Sequence, residues 1–182
     1  PVEHNQQMGR VVPEISPQRL EKFRFTNLND SDVYFNENTR RMLDAYRNIF
    51  SHTAERLAAK GFTGEGRNLL DRLMTAMPFS TVSGDARSHI LMARAFEAVG
   101  DSARVVDLMQ DAEPLVLSDL RAAISRRNFS YALQYAGMVR MMYQQAGAQE
   151  SLSAFNSQLE TLLAQAPYQL PNDARAAFGL TS

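Results

Sequence analysis

The sequence contains no cysteine and no tryptophan, only three histidines, and only two lysines among its basic residues. The lack of cysteine excludes disulfide bonds and thiolate metal sites. No two histidines among His4, His52 and His89 have the i, i+4 spacing of a helical zinc pair, so we expect no metal site. No hydrophobic run approaches the ~18 residues that a membrane span needs. The net charge of -1 provides no overall field that would attract nucleic acid or anionic lipid.

Sequence motifs of catalysis are also missing. There is no Gly-x-Ser-x-Gly elbow, and no glycine-rich phosphate loop follows a strand pattern. Gly61, Gly64 and Gly66 resemble a phosphate loop only in spacing, and helix ends explain them better because a helix pattern precedes them. We therefore expect no catalytic residue and no cofactor.

The stretch from Arg40 to Pro78 has the pattern of two amphipathic helices. The first is predicted over Arg40–Lys60, with a stop at Gly61, and the second over Glu65–Met77. Two such helices joined by a short turn must pack face to face to bury their apolar residues. The residues predicted to face inward are Leu43, Phe50, Ala54, Leu57, Ala58, Leu69, Leu70, Leu73, Met74 and Met77.

The same helix ending occurs three times along the chain. Each time a large apolar residue precedes a glycine by four positions, and a polar start and another amphipathic stretch follow. The spacing between these glycines exceeds the roughly 34 residues of a tetratricopeptide repeat, so the units resemble that repeat with insertions. The three pairs are Leu57 and Gly61, Phe96 and Gly100, and Tyr143 and Gly147.

Other segments surround these repeats. Residues 1–31 lack helical periodicity and predict an irregular arm that Phe23 and Phe25 hold against the first helices. Asn36 or Asn38 is expected to cap the long helix. The acidic residues Asp30, Asp32 and Glu37 are expected to cap helix ends rather than to form a calcium loop. Pro114 either kinks one long helix or opens a new one, and Asn128 is expected to cap the next.

Together these patterns predict an all-α fold. We expect a tetratricopeptide-like right-handed superhelix of helical hairpins, with about seven helices and an irregular N-terminal arm. The expected divisions are the extended arm over 1–31, the helical repeat domain over 32–166, and a C-terminal tail with a short helix over 167–182.

The repeat frame also predicts a binding face. Solenoids usually bind through the inner face of the first helix of each repeat. Arg87 and Arg94 lie two turns apart on one helix and are expected to bind a peptide carboxylate. The alternative is a solvated face with weak surface ion pairs, which fits the pattern as well. Of the methionines, Met141 is expected to be exposed. The positions on this face are Asn48, Ser51, Glu55, Arg87, Ile90, Arg94, Gln134, Gly137 and Met141.

One segment carries more than periodicity. Leu28–Met42, with the letters LNDSDVYFNENTRRM, is followed by Tyr46-Arg47 and Phe50. This segment resembles the soluble C-terminal region of a family of bacterial multi-pass membrane proteins of unknown function, which are similar to protein O-mannosyltransferases. The resemblance implies that glycosyl transfer belongs to a membrane portion outside this chain, and that this chain lies on the periplasmic side of the inner membrane.

We therefore expect a non-catalytic interaction or substrate-positioning domain appended to a membrane-bound glycosyltransferase-like protein. Its expected partner is a protein or peptide, including the membrane portion of its own chain, and not nucleic acid. The alternative is a free-standing cytoplasmic adaptor that binds a peptide in a concave groove. Because the chain starts at Pro1 without methionine, we expect an excised piece or a processed form.

Overall fold

The computed structural model describes residues 15–126 and 130–165, and over these ranges the chain is helical with no strand. This confirms the predicted all-α class. None of the helices in these ranges combines the length and the apolar composition that crossing a membrane requires. The seven helices described are α1 (Ser16–Leu20), α2 (Glu37–Ala59), α3 (Thr63–Ala76), α4 (Ala86–Ala98), α5 (Ser102–Arg126), α6 (Ser130–Gln145) and α7 (Gln149–Ala164).

The helices belong to two compact units. The first unit contains α1, α2, α3 and the segment Arg94–Asp101, which includes the end of α4. The second unit contains the segment Asp85–Ala93, which includes the start of α4, together with α5, α6 and α7.

In the first unit, α2 and α3 pack against each other as the sequence predicts. Asn36 is the N-cap of α2, because its side-chain oxygen accepts a hydrogen bond from the Thr39 amide at 2.9 Å. The helix therefore begins at Glu37, slightly before the predicted Arg40. The buried apolar residues on α2 and α3 include Leu43, Phe50, Ala54, Leu57, Leu69, Leu70 and Leu73.

The segment before α2 contacts this hairpin through aromatic rings. The Phe23 and Tyr46 ring centroids are 5.3 Å apart, and the Phe25 ring lies 5.8 Å from that of Phe50. The prediction that residues 1–31 lack helix was wrong at α1. This helix has only five residues, too few to show periodicity, and Pro17 sits in its first turn, where proline is tolerated.

The three predicted helix endings have the same geometry. Each glycine has a positive φ, and in each case the following amide bonds the carbonyl five residues earlier at an N···O distance of 2.9 Å. This is the Schellman motif, in which glycine takes the left-handed conformation and an apolar side chain packs beneath the turn. The φ values are +88° at Gly61, +74° at Gly100 and +72° at Gly147.

In the second unit, α5, α6 and α7 pack against one another. Pro114 lies inside α5, which continues through it, so the segment is one long helix and Pro114 does not open a new one. The proline is exposed, while Ala112, Val116 and Leu120 around it are buried, so packing on the inner face offsets the lost backbone hydrogen bond. The predicted cap at Asn128 and the tail over 167–182 lie outside the described residues.

A polar pair joins two helices of the second unit. The Tyr143 hydroxyl donates a hydrogen bond to the Glu113 carboxylate, and the Tyr143 ring centroid is 6.4 Å from that of Phe155. Burial and the Glu113 carboxylate together raise the pKa of Tyr143 above its ordinary value. Tyr143 therefore stays protonated and keeps its hydrogen bond.

Candidate binding surface

Two of the residues predicted for the binding face come together in the first unit. Arg94 Nε, near the end of α4, lies 4.0 Å from Glu55 Oε1 on α2. The Arg94 side chain is 50% exposed, whereas Glu55 is only partly exposed. A pair at this distance is a loose ion pair rather than a strong hydrogen bond, so another carboxylate can compete for the guanidinium.

His52 completes this cluster. Its Nδ1 lies 3.9 Å from the other oxygen of Glu55, one turn away on α2. Burial lowers the pKa of His52 most, the positive charge of Arg56 lowers it further, and Glu55 opposes them. His52 is therefore mostly neutral near pH 7, whereas Arg94 beside Glu55 is permanently charged.

The other predicted residues take different positions. Asn48 is half-buried on α2, Arg87 is exposed on α4, and Gln134 and Met141 are exposed on α6, as expected for Met141. Of the predicted side chains, those of Glu55 and Arg94 lie within ion-pair distance of each other.

Two predicted positions were wrong. Ser51 and Ile90 are buried and offer no surface to a ligand. Helix α2 contacts both α1 and α3, and it pairs with Arg94 of α4 as well, so its buried arc is wider than a single stripe. Ser51 lies within that wider arc.

Sequence reasoning missed a buried arginine. Arg47 is 1% exposed, and its guanidinium bonds the Asp44 carboxylate at 2.9 Å and the backbone carbonyls of Met77 and Val82. It also lies 3.9 Å from the centre of the Phe79 ring. Its position between Leu43 and Phe50 on the apolar stripe was the available signal, because a charge there must be paired internally.

Two other arginines also bind backbone carbonyls in the first unit. Arg72 donates to the carbonyls of Leu20, Glu21 and Phe23, and so fixes the segment after α1 against α3. Arg67 donates to the Val99 carbonyl at 3.1 Å and lies 3.4 Å from Asp101. The planar guanidinium fork suits this role, which a lysine ammonium fills less well.

The described residues hold no cluster of three or more acidic, histidine or cysteine side chains arranged to bind a metal ion. Gly61, Gly64 and Gly66 do not form a loop, because Gly61 ends a helix while Gly64 and Gly66 lie at the start of α3. Comparisons with models of protein families, with curated proteins and with solved structures find no match for this chain.

Proposed function

We propose that this chain is a non-catalytic helical-repeat domain that binds or positions a peptide. The observation that carries this proposal is the threefold helix ending at Gly61, Gly100 and Gly147, each followed by another helix. Helical repeats that end in this way resemble tetratricopeptide repeats, and we propose that they stack into a right-handed superhelix of that kind.

The peptide contact is assigned to the cluster of His52, Glu55 and Arg94. Arg94 is a permanently charged donor that is held only loosely by Glu55. A peptide carboxylate, either a chain terminus or an acidic side chain, can displace Glu55 and form a bidentate pair with the guanidinium. Exposed Met141 and Gln134 are assigned to the same function in the second unit as adaptable contacts.

The experiment is a peptide array probed with the 182-residue chain. Each peptide is presented once with a free C-terminal carboxylate and once amidated. We expect a subset of the free acids to bind, and Arg94→Glu to abolish their binding without a change in unfolding midpoint. Equal binding of free and amidated peptides together with unchanged binding by Arg94→Glu would remove this site.

Arg41→Glu is the matched control. Arg41 also lies on the first unit and pairs with a glutamate, Glu37, but its side chain is 74% exposed and it lies about 21 Å of helix before Glu55 on α2. We expect this variant to bind peptides as the wild type does. A similar loss in both variants would mean that general charge, and not the Arg94 site, governs binding.

The resemblance over Leu28–Phe50 supports a setting for this activity. We propose that the domain is appended to a membrane-bound glycosyltransferase-like protein on the periplasmic side, where it presents the peptide segment that accepts the sugar. A free-standing adaptor is the alternative, and the loose Glu55–Arg94 pair fits both. The gene upstream of Pro1 distinguishes them, because many hydrophobic spans favour the appended domain and a start codon near Pro1 favours the adaptor.

A further inference from the structure

The first unit also contains a cleft that is separate from the cluster of His52, Glu55 and Arg94 and differs from it in chemistry. It has a volume of about 330 Å³ and is formed by the loop before α2, the start of α2 and the turn after α3. This size falls within the range of small-ligand sites, about 300–1,000 Å³. The polar side chains that line it are those of Ser31, Asp32, Arg40, Thr81 and Ser83, beside the ring of Tyr34.

Hydrogen bonds hold the cleft in shape. Arg40 donates from Nε to the Phe35 carbonyl at 3.0 Å and from Nη1 to the Ser83 hydroxyl at 3.4 Å. The Thr81 hydroxyl donates to the Leu28 carbonyl at 2.6 Å and joins the two walls. The cleft is therefore organised before a ligand arrives, which lowers the cost of binding.

The charges in the cleft limit what it can bind. Arg40 supplies donors only, and the Asp32 carboxylate supplies acceptors only. An anion would be repelled by Asp32 and a cation by Arg40, whereas a neutral polyol needs both a donor and an acceptor. The Tyr34 ring is 82% exposed at the rim and offers a flat apolar face.

We propose that this cleft binds the pyranose ring of a carbohydrate. The C–H face of the sugar stacks on Tyr34, and its hydroxyls donate to Asp32 and accept from Arg40. This inference goes beyond the proposed peptide function and does not rest on it, because it involves neither Glu55 nor Arg94.

Saturation-transfer NMR with the 182-residue chain tests the proposal. The probes are the methyl glycosides of glucose, mannose, galactose and N-acetylglucosamine. Sodium phosphate is the anionic probe, and its binding is followed by the width of its phosphorus-31 resonance because it has no carbon-bound proton. We expect at least one glycoside to receive saturation on its ring protons, and Tyr34→Ala to weaken its affinity about tenfold or more. Asp32→Asn, a second variant at an exposed position, is expected to lower the affinity for the same glycoside.

Tyr131→Ala is the matched control, because Tyr131 is a similarly exposed tyrosine, 72%, on α6 of the second unit. The Tyr131→Ala variant should bind glycosides as the wild type does. Arg94→Glu should also bind them, so a failure of the cleft proposal can be distinguished from a failure of the peptide proposal. No transfer to any of the four glycosides, or equal affinity in Tyr34→Ala, would overturn the proposal. Phosphate binding that increases in Asp32→Asn would also overturn it, in favour of an anion site.

Discussion

At the scale of single residues, the buried side chain of Arg47 holds parts of the first unit together. A buried guanidinium loses its hydration, and it is stable only where several acceptors replace the water. Asp44, two backbone carbonyls and the Phe79 ring do so here. The arginine thereby connects α2 to the turn after α3.

Replacement of Arg47 by lysine keeps the charge but loses the planar fork. We expect Arg47→Lys to lower the free energy of unfolding by about 2–3 kcal/mol, because one ammonium nitrogen replaces the two guanidinium nitrogens that bond Asp44 and the carbonyls of Met77 and Val82. Urea titration measures this loss. Arg41→Lys, at an exposed position, should stay within about 0.5 kcal/mol of the wild type, and an equal effect of the two variants would contradict the role assigned to Arg47.

His52 gives the folded chain a pH dependence. Its pKa is below the ordinary value of 6.5, so as the pH falls through 6.5 the unfolded chain binds a proton that the folded chain does not. Stability contributed by neutral His52 is therefore present above pH 6.5 and is lost on acidification.

The measurement is the urea midpoint of the wild type and His52→Gln at about pH 7.5 and about pH 5.5. Other titrating groups are common to both proteins, so the difference between them isolates His52. We expect the wild type to lose more stability than the variant on acidification. A larger loss in the variant would mean that Glu55 outweighs burial and Arg56 in setting this pKa.

At the scale of elements, helix ends could be predicted from the sequence because they depend on residues a few positions apart. The cap at Asn36 and the three glycine endings depend only on such neighbours. Arg47 and Arg72 could not be assigned in this way, because their carbonyl partners lie far away in sequence. The short helix α1 was missed because five residues are too few to show the periodicity of a helix.

Gly100 tests the helix endings. A β-branched residue resists the left-handed conformation, so Gly100→Val should cost about 1–2 kcal/mol of unfolding free energy. Gly137→Val is the control, since Gly137 lies on the exposed side of α6 with open space around it and valine suits a helix at least as well as glycine. No loss in Gly100→Val on denaturant titration would mean that the left-handed turn is not required there.

Gly66 tests the close approach of α3 to α2. A Cβ atom there would lie 3.0 Å from a Val99 methyl and 3.1 Å from the Ala54 carbonyl oxygen. We expect Gly66→Leu to cost about 1–3 kcal/mol, whereas Gly64→Leu, with open space around it, should cost nothing. Thermal unfolding of both variants measures the difference, and equal midpoints would contradict this packing.

At the scale of the whole molecule, the all-α class followed from apolar spacings that fit helices and from the lack of strand patterns. The candidate site could be predicted in part. The repeat frame places Glu55 and Arg94 on one face, and the structure brings them to 4.0 Å from each other. Ser51 and Ile90 were wrong because the frame does not show how many neighbouring elements cover each helix. The cleft beside Tyr34 depends on Thr81 and Ser83, which are distant in sequence, and no local pattern indicates it.

Arg94 is proposed to bind a peptide carboxylate in competition with Glu55. The most direct measurement is the Kd of one free-acid peptide from the array, determined by isothermal titration for the wild type, Glu55→Gln and Arg94→Glu. We expect Glu55→Gln to bind more tightly, because Arg94 is released, and Arg94→Glu not to bind. Weaker binding by Glu55→Gln, or binding by Arg94→Glu that equals the wild type, would contradict the account.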